Sequence, residues 1–183
     1  MTDLHSHSFD FEADFTSDLR CIPMAVRRKL DLAGVKLKLS HWGALAGPER
    51  QRLVQWPDDS QAIEQLRQWL LERTAAMADG PAKPLPAAVT ADWQQADQLP
   101  ALLEASCRQL QLPLPTTAWQ QLNELQRFAL VKLSHPGHEH RNLPAALREF
   151  GLIGETGSAV ADGGDALAGG LSHQDIAGGI TGA

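Results

Sequence analysis

Apolar residues recur three and four positions apart through most of the first 153 residues, and helix punctuation divides one stretch from the next. Pro23 opens an amphipathic run through Val26, Leu30 and Ala33 that Gly34 closes, and Pro48 starts a short helix that Pro57 ends. Ser60 is the expected cap of the next helix, which carries Ile63, Leu66, Trp69, Leu70 and Met77 on one face before Gly80. Pro100 begins another, with Leu103, Cys107 and Leu110 inward. Thr116 or Thr117 caps a long helix reaching Ser134, whose wide apolar face joins Leu122, Leu125, Phe128, Ala129, Leu130 and Leu133. His135 then precedes Pro136 and Gly137, a combination that favours a turn, and Pro144 suits the first turn of a last helix closed by Gly151.

Only Val35, Leu37 and Leu39 alternate with lysines as a strand would. Their counterpart, Leu112 to Pro115, contains two prolines that cannot donate to a ladder, so both stretches read as extended connectors that push apolar side chains inward. The expected fold is all-α: a compact helical domain over residues 1–153, interrupted by a stiff proline-rich connector at 80–99. Residues 154–183 are rich in Gly, Ala, Ser, Thr and Asp and poor in large apolar groups, which is the composition of a disordered tail.

An internal likeness adds to this picture. Trp42 is followed by Leu45, Arg50, Leu53 and Val54, and Trp119 is followed at identical spacings by Leu122, Arg127, Leu130 and Val131. Upstream, Arg28, Leu30 and Leu32 align with Arg108, Leu110 and Leu112 after a three-residue slip. The pattern suits a duplicated helical hairpin spanning 23–57 and 100–136, with two pseudo-symmetric copies. It also suits two unrelated amphipathic helices, because leucine is common.

A chain of 183 residues is long enough for one domain with a substantial core. Its net charge of −6 argues against nonspecific nucleic-acid binding, which needs a positive field. No apolar run approaches the roughly 20 residues that span a bilayer, and the N-terminal segment lacks a basic stretch followed by an apolar one. Two cysteines, Cys21 and Cys107, form neither a secreted disulfide framework nor a CxxC pair, so the expected compartment is the cytoplasm.

Candidate chemistry is sparse. Arg27, Arg28 and Lys29, with Lys36 and Lys38 nearby, form either an ordinary solvated face or a basic docking patch. His135, His138, Glu139 and His140 are ligand types for zinc and similar ions, but their spacing matches neither a zinc finger nor HExxH. Cys21, beside Arg20 and just before a helix, reads as a small buried hydrophobe or as a reactive thiolate and soft-metal ligand. No phosphate loop, nucleophile elbow or paired acidic motif is present.

Three blocks carry a wider likeness: FDFEADFTSDLRCIPM at 9–24, GVKLKLSHW at 34–42 and LQRFALVKLSHPGHEHRNLPAALREFGL at 125–152. In this order they resemble the nitrate reductase associated proteins, known mainly from cyanobacteria and other nitrate-assimilating microbes, over about residues 9–153. The family's usual loop resembles SRPGHENRN, which His138, Glu139, Arg141 and Asn142 fit, while His135 and His140 depart from it. The resemblance implies a non-catalytic accessory protein that binds nitrate reductase or helps it mature, and it implies no cofactor or catalytic residue. Three contact surfaces follow as expectations: an arm with Phe9, Phe11 and Phe15; the basic helix with Arg27, Arg28 and Lys29; and the loop with His138, Glu139, Arg141 and Asn142. The alternative is a metal- or cofactor-delivering protein using Cys21 and His138, with His140 as a further ligand.

Overall fold

Local capping decides where the helices start. Asp59 accepts from Gln61 N (3.1 Å) and Ala62 N (3.0 Å), so it, and not Ser60, is the cap of the longest helix. The computed structural model describes residues 4–135 and 142–154. Its helices are α1 (Ala13–Thr16), α2 (Met24–Ala33), α3 (Leu39–Ala44), α4 (Gly47–Gln55), α5 (Ser60–Thr74), α6 (Ala101–Gln109), α7 (Thr116–Gln121), α8 (Glu124–Ser134) and α9 (Asn142–Glu149). Short 3-10 turns occupy Leu4–Ser6, Asp10–Glu12 and Asp92–Gln94. The fold is all-α, as the periodicity implies. The expected tail, from residue 155 onward, lies outside the described residues.

Two departures have simple causes. The long helix ending at Ser134 is broken at Leu122 and Asn123, because Asn123 and Gln126 form a reciprocal cap: Gln126 N donates to Asn123 Oδ1 (2.9 Å) and Asn123 N to Gln126 Oε1 (3.0 Å). The connectors are also not wholly unpaired. Val35–Lys36 (β1) pairs antiparallel with Lys83–Pro84 (β2), a ladder short enough for Pro84 to lie at its edge.

Helix α2 stands between two cores. Its Val26, Leu30 and Ala33 join Trp42, Leu53, Leu66 and Leu70, whereas its Met24 and Ala25 join Leu103, Trp119, Phe128, Leu130 and Leu147. Burying each aliphatic or aromatic side chain of this kind stabilises the fold by about 1.5–3 kcal/mol before chain entropy is opposed to it. Polar ties fix the same helix to α8 and to the start of α5. Arg28 reaches Glu124 (2.6 Å) and Asp58 (2.8 Å), and Lys132 reaches Asp31 (2.7 Å).

Several features recur at the separation of 77 positions that divides Trp42 from Trp119. Both indoles are fully buried, and each donates to a carbonyl upstream of its hairpin: Trp42 Nε1 to Leu19 O (2.7 Å) and Trp119 Nε1 to Gln95 O (3.0 Å). Arg50 binds Leu45 O (3.0 Å) and Leu19 O (2.9 Å), while Arg127 binds Leu122 O (2.5 Å) and Trp93 O (3.0 Å). Gly34 and Gln111, at φ 61° and 57°, end α2 and the turn after α6 in the same left-handed conformation. With these two residues aligned, the buried Leu30 corresponds to Cys107 and Val26 to Leu103. The three-residue slip read upstream of the tryptophans is therefore absent. The pairing also has a limit, because α5 packs on α2 while α9 packs on α8.

Glycine is required at only one of the two equivalent positions. A Cβ on Gly34 would lie 2.4 Å from Leu85 O and 2.8 Å from Ala87 N, both backbone atoms of the proline-rich connector. Gly34→Ala is expected to destabilise by about 2–4 kcal/mol, combining left-handed strain with a backbone clash. Gln111→Gly relieves the same strain without a clash and is expected to be neutral or to stabilise by up to about 1 kcal/mol. Urea unfolding midpoints of the two variants check both signs.

Candidate functional site

The N-terminal arm is strapped down by two carboxylates. Glu149 at the end of α9 accepts from Asp10 N and Phe11 N, each at 2.9 Å, and Glu12 accepts from Phe9 N (3.2 Å) and from Met24 N (2.9 Å) at the start of α2. Glu12 is 1% exposed, and its burial raises the carboxyl pKa although the Met24 and Phe9 amides pull it back. Phe9 is buried and stacks on Phe11 at 5.2 Å, with Phe150 5.0 Å away. Phe9 is thus a core residue, while Phe11 and Phe15 remain half-exposed.

The basic helix does not present its three cations together. Arg27 is half-exposed and donates Nε to Ile22 O (2.9 Å). Arg28 is nearly buried and held in its ion pairs with Asp58 and Glu124. Lys29 is fully buried, with Nζ donating to Leu53 O (3.1 Å) and Val54 O (2.7 Å) at the end of α4. Carbonyls of the last turn of a helix are natural partners for a cation. Of the expected patch α2 therefore presents only Arg27, with Lys36 and Lys38 exposed beyond its end, while Arg28 and Lys29 serve the joint between helices.

Burial lowers the Lys29 pKa from 10.5 to about 8. Between those values the unfolded chain binds more protons than the folded one, so this group makes stability rise with pH. Cys107, whose thiol burial pushes from 9.0 up to about 11, acts in the opposite direction from pH 9 upward. Stability is expected to gain up to about 1 kcal/mol between pH 8 and 9 and then to level off. Lys29→Met should remove that rise, as urea titrations at each pH would show.

Of the loop residues, His138, Glu139, His140 and Arg141 lie outside the described residues, and Asn142 opens α9 half-exposed. Cys21 is half-exposed, and its amide donates to Phe15 O (3.1 Å). Among the described residues no group of three or more His, Cys, Asp or Glu is placed to hold a metal ion.

Two pockets were not foreseen from the sequence. One, of about 540 Å³, lies between α5 and the connector, where Leu32, Ile63, Leu85 and Val89 surround Arg67. Its guanidinium is already engaged with Ala33 O (2.6 Å) and Gly34 O (2.7 Å). The other, of about 490 Å³, lies between α4 and the start of α5 and is lined by Pro48, Gln51, Arg52, Gln55, Trp56 and Gln65, among others. Here Arg52 lies over the ring of Trp56 (4.6 Å) and near that of Trp69 (5.7 Å). Trp56 is fixed in turn by donation from Nε1 to Ala62 O (2.8 Å). Arg52 and Trp56, one helical turn apart, were a visible signal; the approach of Trp69 depends on the turn between α4 and α5.

Each of these features falls within one sequence match. No curated protein and no solved structure matches the chain. The family model described as conserved nitrate reductase-associated protein matches residues 8–150, from the N-terminal arm to the end of α9. The chain belongs to the conserved nitrate reductase-associated protein family.

Proposed function

We propose that this protein is a non-catalytic accessory factor of the cytoplasm that binds assimilatory nitrate reductase or assists its maturation. The observation that carries this reading is the family match over residues 8–150, which takes in both cores except Leu152 and Ile153 at the edge of one of them. The way the polar groups are used supports it. Arg28, Lys29 and Arg127 each bind groups of the chain itself, so these buried cations have structural work and are not held for a substrate. Recognition of the reductase then belongs to surfaces: the half-exposed Phe11, Phe15 and Arg27, and the loop of His138, Glu139, Arg141 and Asn142.

The test is to produce tagged nitrate reductase with and without the full chain and to compare its activity and cofactor content. A maturation factor raises the active, cofactor-loaded fraction, whereas a stable subunit co-purifies with the loaded enzyme. Equal reductase in both preparations, with no associated chain, overturns the proposal.

A further inference from the structure

We propose that the pocket between α4 and α5 is a docking site for an acidic, extended segment of the reductase, with Arg52 receiving its carboxylate. This rests on the reductase being the partner, and it names the surface and the chemistry of the contact.

Two indoles restrain the guanidinium of Arg52, but a ring face satisfies none of its five N–H donors. Among the described residues no carboxylate forms an ion pair with it, although arginines 20, 28, 73 and 108 all have one. A guanidinium held in place with free donors is suited to a bidentate carboxylate contact at small entropic cost.

Among the described residues that line the pocket Arg52 is the only charged one, and the protein as a whole carries −6. An anion is therefore not drawn in from a distance and must be recognised on contact. Gln51, Gln55 and Gln65 each offer a donor and an acceptor, the pair that peptide N–H and C=O groups require, while Pro48 and Trp56 supply apolar wall. A volume of about 490 Å³ holds a few residues of extended chain.

The other half of the molecule treats the corresponding positions differently. The residues 77 positions beyond Arg52 and Trp56 are Ala129 and Leu133, both buried in one cluster with Leu143, Ala146 and Leu147 of α9. On α8 this face is closed by packing. On α4 it keeps an exposed arginine, because α5 brings only Trp69 against Trp56 and Arg52 there and packs mainly on α2.

The experiment is quantitative co-purification of the full chain with tagged assimilatory nitrate reductase, using wild type, Arg52→Glu and Arg52→Lys, with thermal midpoints as a folding control. Arg52→Glu is expected to weaken association at least tenfold, a loss of about 1.4 kcal/mol or more for a desolvated charge contact. Arg52→Lys keeps the charge but loses the planar fork and should fall between. Should Arg52→Glu lower the thermal midpoint, Gln55→Glu places a repelling carboxylate in the same pocket from an exposed position and must give the same loss. Association of either acidic variant at wild-type strength overturns the docking site while leaving the reductase as partner. Failure of the wild type to associate overturns the partner, and this occupant with it.

Discussion

Trp119→Ala is expected to destabilise the protein by about 3–5 kcal/mol, and Trp42→Ala by a similar amount. Each indole is 0% exposed and lies in one of the two cores. Truncation leaves a large cavity between rigid helices, and it also leaves a carbonyl, Gln95 O or Leu19 O, without its indole donor. Leu19 O retains Arg50, so the Trp42 variant is expected to be the milder of the two. A loss of this size is a large fraction of the stability of an ordinary domain, and urea unfolding followed by far-ultraviolet circular dichroism measures it. Losses below about 1 kcal/mol in both variants would show that the tryptophans are not the centres of the two hairpins.

Arg127→Ala is expected to cost about 3–5 kcal/mol, against about 1–2 kcal/mol for Arg50→Ala at the equivalent position. The chemistry is the same, since each guanidinium joins the carbonyl five residues before it to a carbonyl of the preceding segment. The surroundings differ. Arg127 is buried, with Trp119 near its guanidinium and Trp93 O depending on its Nε, whereas Arg50 is half-exposed and water can replace it. Equal losses in the two variants would contradict this assignment of burial as the cause.

Much of this architecture is legible in the chain. The interval Trp-x2-Leu-x4-Arg-x2-Leu-Val occurs twice, and in each occurrence the indole donates to an upstream carbonyl and the guanidinium to the carbonyl five residues before it. The upstream register was lost because Gln111 does without glycine the turn that Gly34 makes, so the two helix ends share no residue type. The break at Asn123 was legible as well, from Asn123 and Gln126 at capping-box spacing, but the surrounding leucines hid it by keeping the helical period.

The candidate surfaces were harder to read. Lys29 lies three residues after Val26 and four before Ala33, on the buried stripe of α2, and counting charges alone placed it in a surface patch. Phe9 reads as an exposed arm only until Phe150 and Glu149 are brought to it from the other end of the chain. No local pattern predicts that contact. The Arg52 pocket likewise depends on how the chain turns from α4 into α5.

The central claim is a direct association, and sedimentation velocity of the purified full chain mixed with purified assimilatory nitrate reductase tests it without any other component. The account predicts that part of the chain moves with the reductase, in proportion to its concentration and to saturation. Independent sedimentation of the two proteins, with both apo and cofactor-loaded reductase, would contradict it.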